Sequence, residues 1–311
     1  MKKQVIILET EYWQLMSDKT EVYTKKWHQP GTEPKAIVQL AHGMVEHINR
    51  YNEFAEYLLD QGIFVYGNDH RGHGKTAVKQ GKFGYFAEKD GFARVTRDLI
   101  EITERIRQDH PAVPIFLLGH SMGSFMVRRY IQSESKELSG AIMMGTGYYS
   151  NILSRFGRGI SSILPRDQES AFMHELVFGF NNRRIAQKVT SFDWLSSDPE
   201  EVQAFLDDPY TDFIPTGSFF HDLMTGISEI HNRQKLNAVR SDLPLLFISG
   251  AQDPVGAYEK GIWKTARLYL KAGVQDITAM LFPEGRHEIL HEVNKEEVFE
   301  QIYAWIHHRI K

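Results

Sequence analysis

The first feature of the sequence that could carry chemistry is a serine between glycines. Residues 119–123 read Gly-His-Ser-Met-Gly, which matches the G-x-S-x-G pattern of a sharp strand-to-helix turn with an exposed serine hydroxyl. A pattern this short also arises by chance, so its context decides. It directly follows the apolar run Pro114–Leu118 and directly opens an amphipathic stretch, as this turn requires. We therefore predict that Ser121 is a nucleophile.

Ser121 needs two partners, because a serine hydroxyl is inert at neutral pH until a base takes its proton and a carboxylate orients that base. In an α/β-hydrolase the acid and then the histidine follow the serine, each on a loop after a strand. Asp253 and His287 fit, since each follows a short apolar run late in the chain. We predict both as catalytic residues, with an ordinary turn aspartate as the alternative for Asp253. Asp242 and Asp276 are weaker substitutes, because each precedes such a run.

The negative charge that develops on the substrate oxygen needs a site of its own, which two backbone N–H groups provide. One belongs to the residue after the nucleophile, Met122, and the other comes from the loop after the third strand. His42 and Gly43 let that loop turn sharply after the run Ala36–Leu40, which makes Met44 the candidate for the second N–H group. The alternative, that Met44 is only an apolar loop residue, stays open.

The elements that must position these residues are indicated by short apolar runs that alternate with amphipathic stretches. Such alternation predicts β-α units and a mainly parallel sheet with helices on both faces. The runs predicted as strands are residues 36–40, 63–67, 115–118, 245–249 and 277–282, and the stretches predicted as helices are residues 51–61, 91–110, 122–132, 258–270 and 296–308. The fold class is therefore α/β.

Between residues 147 and 240 this alternation stops, and prolines divide the segment into several short helices. We predict an insertion above the carboxyl ends of the strands, where open α/β sheets bind ligands. Phe178 is expected to contact the substrate there, while a small helical core is the alternative explanation of the aromatic residues. The phenylalanines of the segment are Phe156, Phe172, Phe178, Phe180, Phe192, Phe205, Phe213, Phe219 and Phe220.

Four blocks of the chain resemble the monoacylglycerol lipase and lysophospholipase group of α/β-hydrolases. Residues 42–51, His-Gly-Met-Val-Glu-His-Ile-Asn-Arg-Tyr, resemble the HGxxEHxxRY signature of that group, and residues 68–74, 119–123 and 285–288 resemble its other blocks in order. The resemblance implies an α/β-hydrolase fold with a mainly parallel eight-stranded sheet flanked by helices. It also implies a mobile helical cap.

The cap implied by the resemblance would occupy residues 147–240, inserted into a hydrolase core of residues 1–146 and 241–311. The implied enzyme is a serine hydrolase that cleaves carboxylic esters of single-chain lipids, first of all monoacylglycerol, through an acyl-enzyme on Ser121. Lysophospholipids and short-chain esters are the alternative substrates. Matching the group's pattern, Glu46 and Arg50 would hold the oxyanion loop and bind the polar end of the substrate. Four residues apart, they could instead form a structural ion pair.

A zinc site and a receptor are the competing interpretations. Residues 287–291, His-Glu-Ile-Leu-His, match H-E-x-x-H, in which two histidines of one helix bind zinc and the glutamate is the base. That interpretation explains none of the other blocks. A non-catalytic ligand receptor on the same fold is the second alternative, and the complete set of serine, aspartate and histidine argues against it. We therefore expect an enzyme that requires no metal and no cofactor.

Composition excludes several classes of protein. The 36 basic and 40 acidic residues give a net charge of -4, without the basic surface that nucleic acid requires, so no nucleic-acid partner is expected. The chain contains no cysteine, which excludes disulfides, thiolate nucleophiles and cysteine-ligated metals. A reducing compartment is compatible with this composition.

The apolar runs of the sequence are all short. No run approaches the roughly 18 apolar residues that span a bilayer, and the run Val5–Leu8 is too short for a secretory leader. We expect a cytoplasmic enzyme with a small lipid ester as substrate and with transient contact between its cap and a membrane or micelle. The sequence leaves the oligomeric state open.

Overall fold

A sheet forms the centre of the part of the chain that the structure describes. This computed structural model describes residues 8–149 and 151–310, with only the backbone over 151–155. Val5 to Ile7, in the short apolar run near the amino terminus, lie outside the described residues. The strands within these ranges are β1 (Leu8–Leu15), β2 (Glu21–His28), β3 (Ala36–Ala41), β4 (Ile63–Asn68), β5 (Ile115–His120), β6 (Gly140–Met144), β7 (Leu245–Gly250) and β8 (Ile277–Phe282).

These eight strands form one sheet with the order β1-β2-β4-β3-β5-β6-β7-β8. Strands β3 to β8 run parallel to one another, whereas β1 and β2 are antiparallel to their neighbours. The predicted α/β class and mainly parallel sheet are confirmed. Strands β3 to β7 are buried along their whole length. Parallel strands covered on both faces have this property, which explains why β3, β4, β5 and β7 read as continuous apolar runs.

The sequence analysis did not identify β1, β2 or β6. Strand β1 lies at the edge of the sheet, and its residues alternate between exposed and half-buried positions. Strand β2 is largely buried yet contains Lys25, whose ammonium group pairs with Glu9 at 2.9 Å and donates to Asn52 at 2.7 Å. A charged residue at a buried strand position hides that strand from a search for apolar runs.

Helices cover the sheet, α1 packing on α11 and α3 on α4. Helix α3 shows why these segments are helical: it spans 19 residues, with Val95, Leu99, Ile102 and Ile106 buried at helical spacing on the face toward the core. The helices of the described residues are α1 (Asn52–Asp60), α2 (Gly74–Gln80), α3 (Gly91–Asp109), α4 (Met122–Glu134), α5 (Asn151–Ser162), α6 (Ala171–Phe178), α7 (Pro199–Asp207), α8 (Gly217–Glu229), α9 (Arg233–Leu236), α10 (Lys260–Lys271) and α11 (Lys295–His307).

The insertion between β6 and β7 contains α5 to α9. Helix α8 packs on α3, α4 and α5, and its Phe219 and Phe220 are fully buried in the main core. The middle of the insertion forms a smaller apolar cluster, which includes Phe192, Trp194 and Phe205 together with Val45 of the oxyanion loop region. Helices α8 and α9 therefore join the insertion to the sheet domain, and the cap bounds of 147–240 stay a prediction. Among the described residues, none of the helices is both long enough and apolar enough to cross a membrane.

The carboxyl ends of the parallel strands bring the predicted site residues to one edge of the sheet. Gly43 follows β3, Ser121 follows β5, Asp253 follows β7 and His287 follows β8. Strands β3 and β5 are neighbours in the sheet, and so are β7 and β8. Open α/β sheets bind their ligands at this edge.

Candidate active site

Ser121 occupies a strained turn between β5 and α4. Its backbone has a φ of 50° and a ψ of -115°, which a residue other than glycine adopts only where its surroundings hold it. The flanking glycines allow the close packing of this turn, because a Cβ atom on Gly119 would collide with the carbonyl of Gly123, and one on Gly123 would collide with the carbonyl of Ala41. The turn leaves the Ser121 side chain half-buried rather than enclosed.

Asp253 and His287 form a buried pair. The Asp253 side chain is completely buried and that of His287 is 2% exposed, and their Oδ1 and Nδ1 atoms are 2.9 Å apart. The remaining acceptor positions of Asp253 are filled by the Ser249 hydroxyl at 3.0 Å and the Val255 N–H at 2.8 Å. A carboxylate that accepts from Nδ1–H fixes the tautomer of a histidine, which leaves Nε2 as the basic atom.

The substitutes considered for the acid lie elsewhere. Asp276 accepts two hydrogen bonds from Arg309, just after the last helix, at 2.8 and 3.0 Å. Asp242 pairs with Arg240, and its side chain is 78% exposed. Neither carboxylate therefore contacts a histidine of the site.

Ser121 and His287 line the same small cavity, together with Met44 and Trp194. Within the described residues the Ser121 hydroxyl makes no hydrogen bond to the His287 imidazole. Free enzymes often show such loose spacing, and the two groups then approach when substrate binds. The arrangement can support acyl transfer with His287 as the base.

The backbone N–H groups of Met44 and Met122 are free to bind an oxyanion. Met122 is the first residue of α4, and Met44 lies in the turn after His42-Gly43. Neither N–H group has an acceptor within the described residues. The oxyanion loop, residues 42–46, lies beside the nucleophile, because a Cβ atom on Gly43 would be 3.3 Å from that of Ser121.

Glu46 ties this loop to the nucleophile turn. Its Oε1 atom accepts hydrogen bonds from the Gly43 N–H at 2.5 Å, from His120 Nδ1 at 2.9 Å and from the Tyr51 hydroxyl at 3.0 Å. Burial by itself would raise the pKa of the Glu46 carboxyl, but the hydrogen bond and charge of His120 hold it well below its usual range. Burial opposes the charged imidazole, yet the bond to Glu46 raises the pKa of His120. The two side chains form a buried ion pair beside Ser121.

Arg50 lies behind this pair. Its guanidinium group donates two hydrogen bonds to Glu288, at 2.6 and 2.7 Å, and a third to Glu46 at 3.1 Å. The family resemblance implies that Arg50 and Glu46 bind the substrate. In the structure Glu46 borders the small cavity beside Ser121, whereas Arg50 lines neither that cavity nor the larger one described below. Two carboxylates hold the guanidinium, which matches the structural ion pair weighed as the alternative.

A segment of the insertion that the sequence analysis did not single out lies directly on His287. The Trp194 ring packs on the His287 ring with a centroid distance of 4.9 Å and an angle of 38°. The backbones also pair, because the His287 N–H donates to the Trp194 carbonyl at 3.3 Å and the Glu288 N–H donates to the Leu195 carbonyl at 2.7 Å. We refer to residues 192–197 as the clamp segment.

Arg286 forms a second set of hydrogen bonds between the His287 loop and the clamp segment. Its Nη1 atom donates to the carbonyl oxygens of Asp193, at 2.6 Å, and Ser196, at 2.7 Å. Glu292 accepts a hydrogen bond from the Ser197 N–H at 3.0 Å. These contacts join residues about 90 positions apart, and the only signal for them in the sequence is the aromatic pair Phe192 and Trp194.

A larger cavity of about 480 Å³ also borders Ser121. Phe178 borders both this cavity and the small one of about 20 Å³, so the predicted substrate-contacting residue lies at the site. The other phenylalanines of the insertion divide between core and surface, since Phe219 is fully buried and Phe156 is 66% exposed. The walls of the larger cavity are mostly apolar and include Met122, Phe125, Tyr149, Met173, Leu223 and Ile227.

The H-E-x-x-H pattern does not form the helix that a zinc peptidase requires. His287 is in a loop, and only Ile289–His291 make a short 3-10 helix. Glu288 is held by Arg50, and His291 Nε2 donates to the Arg50 carbonyl at 2.9 Å. Over the described ranges, no group of three or more histidine, aspartate or glutamate side chains is arranged to hold a metal ion.

Comparison with known proteins agrees with this geometry. The model of a family described as Hydrolase_4, "Serine aminopeptidase, S33", matches residues 32–294. The chain is 27% identical to the monoacylglycerol lipase of Mycolicibacterium smegmatis, with 89% of this chain and 90% of that protein aligned. It is also 27% identical to the monoglyceride lipase of Mus musculus, over 94% of this chain and 89% of that one. A thermostable carboxyl esterase from Bacillus coagulans, solved in complex with glycerol, superposes with a TM-score of 0.88 and 29% identity over 98% of this chain and all of that chain.

Proposed function

The chain belongs to the Hydrolase_4 family of α/β-hydrolases and is a carboxylic ester hydrolase, and on that premise we propose that it cleaves esters of single-chain lipids, first of all monoacylglycerol. One observation carries the proposal. Ser121, on its strained turn and close to the Asp253–His287 pair, lies at the mouth of an apolar cavity of about 480 Å³. That volume is within the range of ligand pockets, and its apolar walls suit a fatty acyl chain.

In the first half of the proposed reaction, His287 accepts the proton of the Ser121 hydroxyl as the oxygen attacks the ester carbonyl. The free N–H groups of Met44 and Met122 stabilise the tetrahedral oxyanion. His287 then gives its proton to the departing alcohol, and the acyl group remains on Ser121. Asp253 keeps the imidazole in the tautomer that this proton transfer requires.

In the second half, a water molecule attacks the acyl-enzyme with His287 again as the base, and the fatty acid leaves. The buried ion pair of Glu46 and His120 holds the oxyanion loop and the His287 loop in position during both halves of the proposed reaction. Glu46 fixes the oxyanion loop through the Gly43 N–H, and the His120 Nε2 atom lies 3.3 Å from the His287 carbonyl oxygen. The proposed chemistry needs no metal and no organic cofactor.

We also propose that the cap meets a lipid surface. Helices α5 and α6 form the outer face of the cap, on which large apolar side chains are exposed: Phe156 at 66%, Phe172 at 59% and Leu176 at 44%. Phe156 and Leu176 also border the larger cavity. An exposed apolar surface continuous with an acyl cavity suits transfer of a single-chain lipid from a membrane or micelle.

The test is fatty-acid release from a long-chain monoacylglycerol, a matched lysophospholipid and a short-chain ester, with wild type, Ser121→Ala and Ser133→Ala. Ser133 is an exposed serine of α4 and serves as the matched control. We expect the monoacylglycerol to be the preferred substrate, with activity lost in Ser121→Ala and kept in Ser133→Ala. Retained activity in Ser121→Ala would overturn the nucleophile.

Two further outcomes would replace the proposed substrate. Preference for the lysophospholipid would keep the mechanism and change the alcohol that leaves. Turnover of short-chain esters alone would remove the lipid proposal. Since the family description names an aminopeptidase, an aminoacyl p-nitroanilide belongs in the same assay, and its hydrolysis in place of every ester would overturn the proposal.

A further inference from the structure

The two cavities at Ser121 differ greatly in size. The apolar cavity holds about 480 Å³, whereas the cavity on the side of His287 and Trp194 holds about 20 Å³. A cavity of that size has room for one water molecule. If the acyl chain fills the larger cavity, the smaller cavity is left for the alcohol part of the ester, and aromatic rings leave little space there.

Trp194 forms the wall of this narrow side. It is 2% exposed and packs between two site residues, with its ring 4.9 Å from that of His287 and 5.7 Å from that of Phe178. Its backbone is fixed by the hydrogen bond from the His287 N–H. The indole therefore lies between the His287 ring and the Phe178 ring, and its backbone is bonded to the His287 loop.

The indole N–H of Trp194 is buried and has no hydrogen-bond acceptor within the described residues. A buried donor without an acceptor is costly, and few are found in native proteins. The group lies in a residue that borders the cavity beside Ser121. An acceptor that arrives with the substrate would satisfy it.

We propose that Trp194 forms the subsite for the leaving alcohol: its indole N–H donates to a free hydroxyl oxygen of that alcohol, and its ring limits the size of the alcohol. The inference rests on the proposed function and deepens it. Glycerol has the acceptor oxygens this donor needs, and under the proposal it enters when the Phe178 ring moves off the Trp194 ring. A phosphocholine headgroup is larger than glycerol, and its phosphate anion would meet Glu46 and Glu288, which line the same cavity, so the subsite selects against lysophospholipids.

The test uses three esters of one fatty acid in the same mixed micelles: the monoacylglycerol, the methyl ester and the lysophosphatidylcholine. The variants are Trp194→Phe, which keeps a ring and removes the N–H, and Trp194→Ala, which opens the wall. Trp263→Phe, at a tryptophan 45% exposed on α10, is the matched control. Thermal denaturation of each variant shows whether it is folded.

For Trp194→Phe we expect kcat/KM on the monoacylglycerol to fall about 3- to 10-fold, the range for one neutral hydrogen bond, with the methyl ester changed less than twofold. For Trp194→Ala we expect the rate on the lysophospholipid, relative to that on the methyl ester, to rise severalfold. Trp263→Phe should change none of these values.

Equal losses on the monoacylglycerol and the methyl ester would overturn the inference, because Trp194 would then act only through the position of His287. An unchanged ratio of lysophospholipid to methyl ester in Trp194→Ala would overturn the size limit. If Trp194→Ala does not fold, Trp194→Phe still decides the hydrogen bond. Failure of the proposed function is distinguishable, since wild type itself would then not hydrolyse the monoacylglycerol.

Discussion

The clamp segment and the outer face of the cap lie in the same insertion and differ in how they are held. Residues 192–197 of the clamp segment are joined to the His287 loop by main-chain hydrogen bonds and by Arg286. The outer face, on α5 and α6, exposes Phe156 and Phe172 instead of packing them. Chemistry needs fixed positions, whereas access for a lipid needs an apolar surface that remains open. Under the proposed function, the insertion would serve both needs with different parts.

The largest effect should come from the proposed triad of Ser121, Asp253 and His287. These three residues lie outside both parts of the cap. In Asp253→Asn the carboxylate that orients His287 is lost, and kcat should fall about 10⁴-fold on every ester, as tautomer loss does in serine proteases. Steady-state kinetics with the monoacylglycerol and its methyl ester measure it. Asp276→Asn, which changes an aspartate paired with Arg309 on the surface, is the control and should leave kcat unchanged. Near-native activity in Asp253→Asn would remove Asp253 from the mechanism.

The next effect should come from the clamp segment. Arg286→Ala removes the donor to the Asp193 and Ser196 carbonyls, so the clamp segment and the His287 loop should lose their mutual alignment. We expect kcat to fall roughly 10- to 100-fold on all esters alike, since small misplacements of catalytic groups have effects of that size. Kinetics on soluble and micellar esters measure it, with the exposed Arg267→Ala on α10 as control. A loss confined to the lipid ester would show that the clamp segment serves access instead.

A smaller and selective effect should come from the outer face. Phe172→Ser removes a large apolar side chain that is 59% exposed on α6. We expect binding to neutral lipid vesicles and activity on a vesicle-bound ester to fall about 3- to 10-fold, because part of the apolar area that enters the lipid is lost. Activity on a soluble short-chain ester should stay unchanged.

The control for the outer face is Leu270→Ser, a change at a residue 60% exposed on α10, away from the cap. Equal effects of the two substitutions on vesicle binding would contradict a special role of α5 and α6. If Phe172→Ser lowered activity equally on the soluble and the vesicle-bound ester, the side chain would affect the catalytic step and not lipid binding. The proposed difference between the two parts of the cap would then be wrong.

The smallest effect concerns stability where α8 joins the insertion to the core. Burial raises the pKa of the Asp222 carboxyl to about 6, so its charged form is disfavoured in the folded protein. Because the folded pKa lies above the ordinary value, the contribution to stability is present at acid pH and is lost as pH rises through about 6. Asp222→Asn should thus raise the free energy of unfolding by about 1 kcal/mol at pH 8 and have little effect at pH 4.

Thermal denaturation at the two pH values measures the effect of Asp222→Asn, with Asp242→Asn at an exposed aspartate as the control. A destabilisation at pH 8 would show that the charged carboxylate instead holds the amino-terminal end of α3, where Gly91 lies against it.

Much of the sheet was predictable because its strands are buried on both faces and therefore read as apolar runs. The exceptions have a physical cause. β1 lies at the edge with one face exposed, and β2 carries Lys25, whose charge is paired with Glu9 and whose ammonium group also donates to Asn52. No local pattern reports such a pairing, since Glu9 and Lys25 are neighbours only in the folded sheet.

The sequence by itself determined which residues could perform the reaction. Ser121, Asp253 and His287 stand in local patterns at the ends of strands, and parallel strands carry their carboxyl ends to one edge. Tertiary structure alone decided what surrounds them. The clamp segment contacts the His287 loop although the two are about 93 residues apart in the sequence. Glu288 likewise binds Arg50 at a sequence separation of 238 residues. Hydrogen bonds of this kind depend on where two distant loops meet in the folded chain. The local pattern of polar and apolar residues does not report this, because the same polar side chains would be equally compatible with a solvent-exposed position.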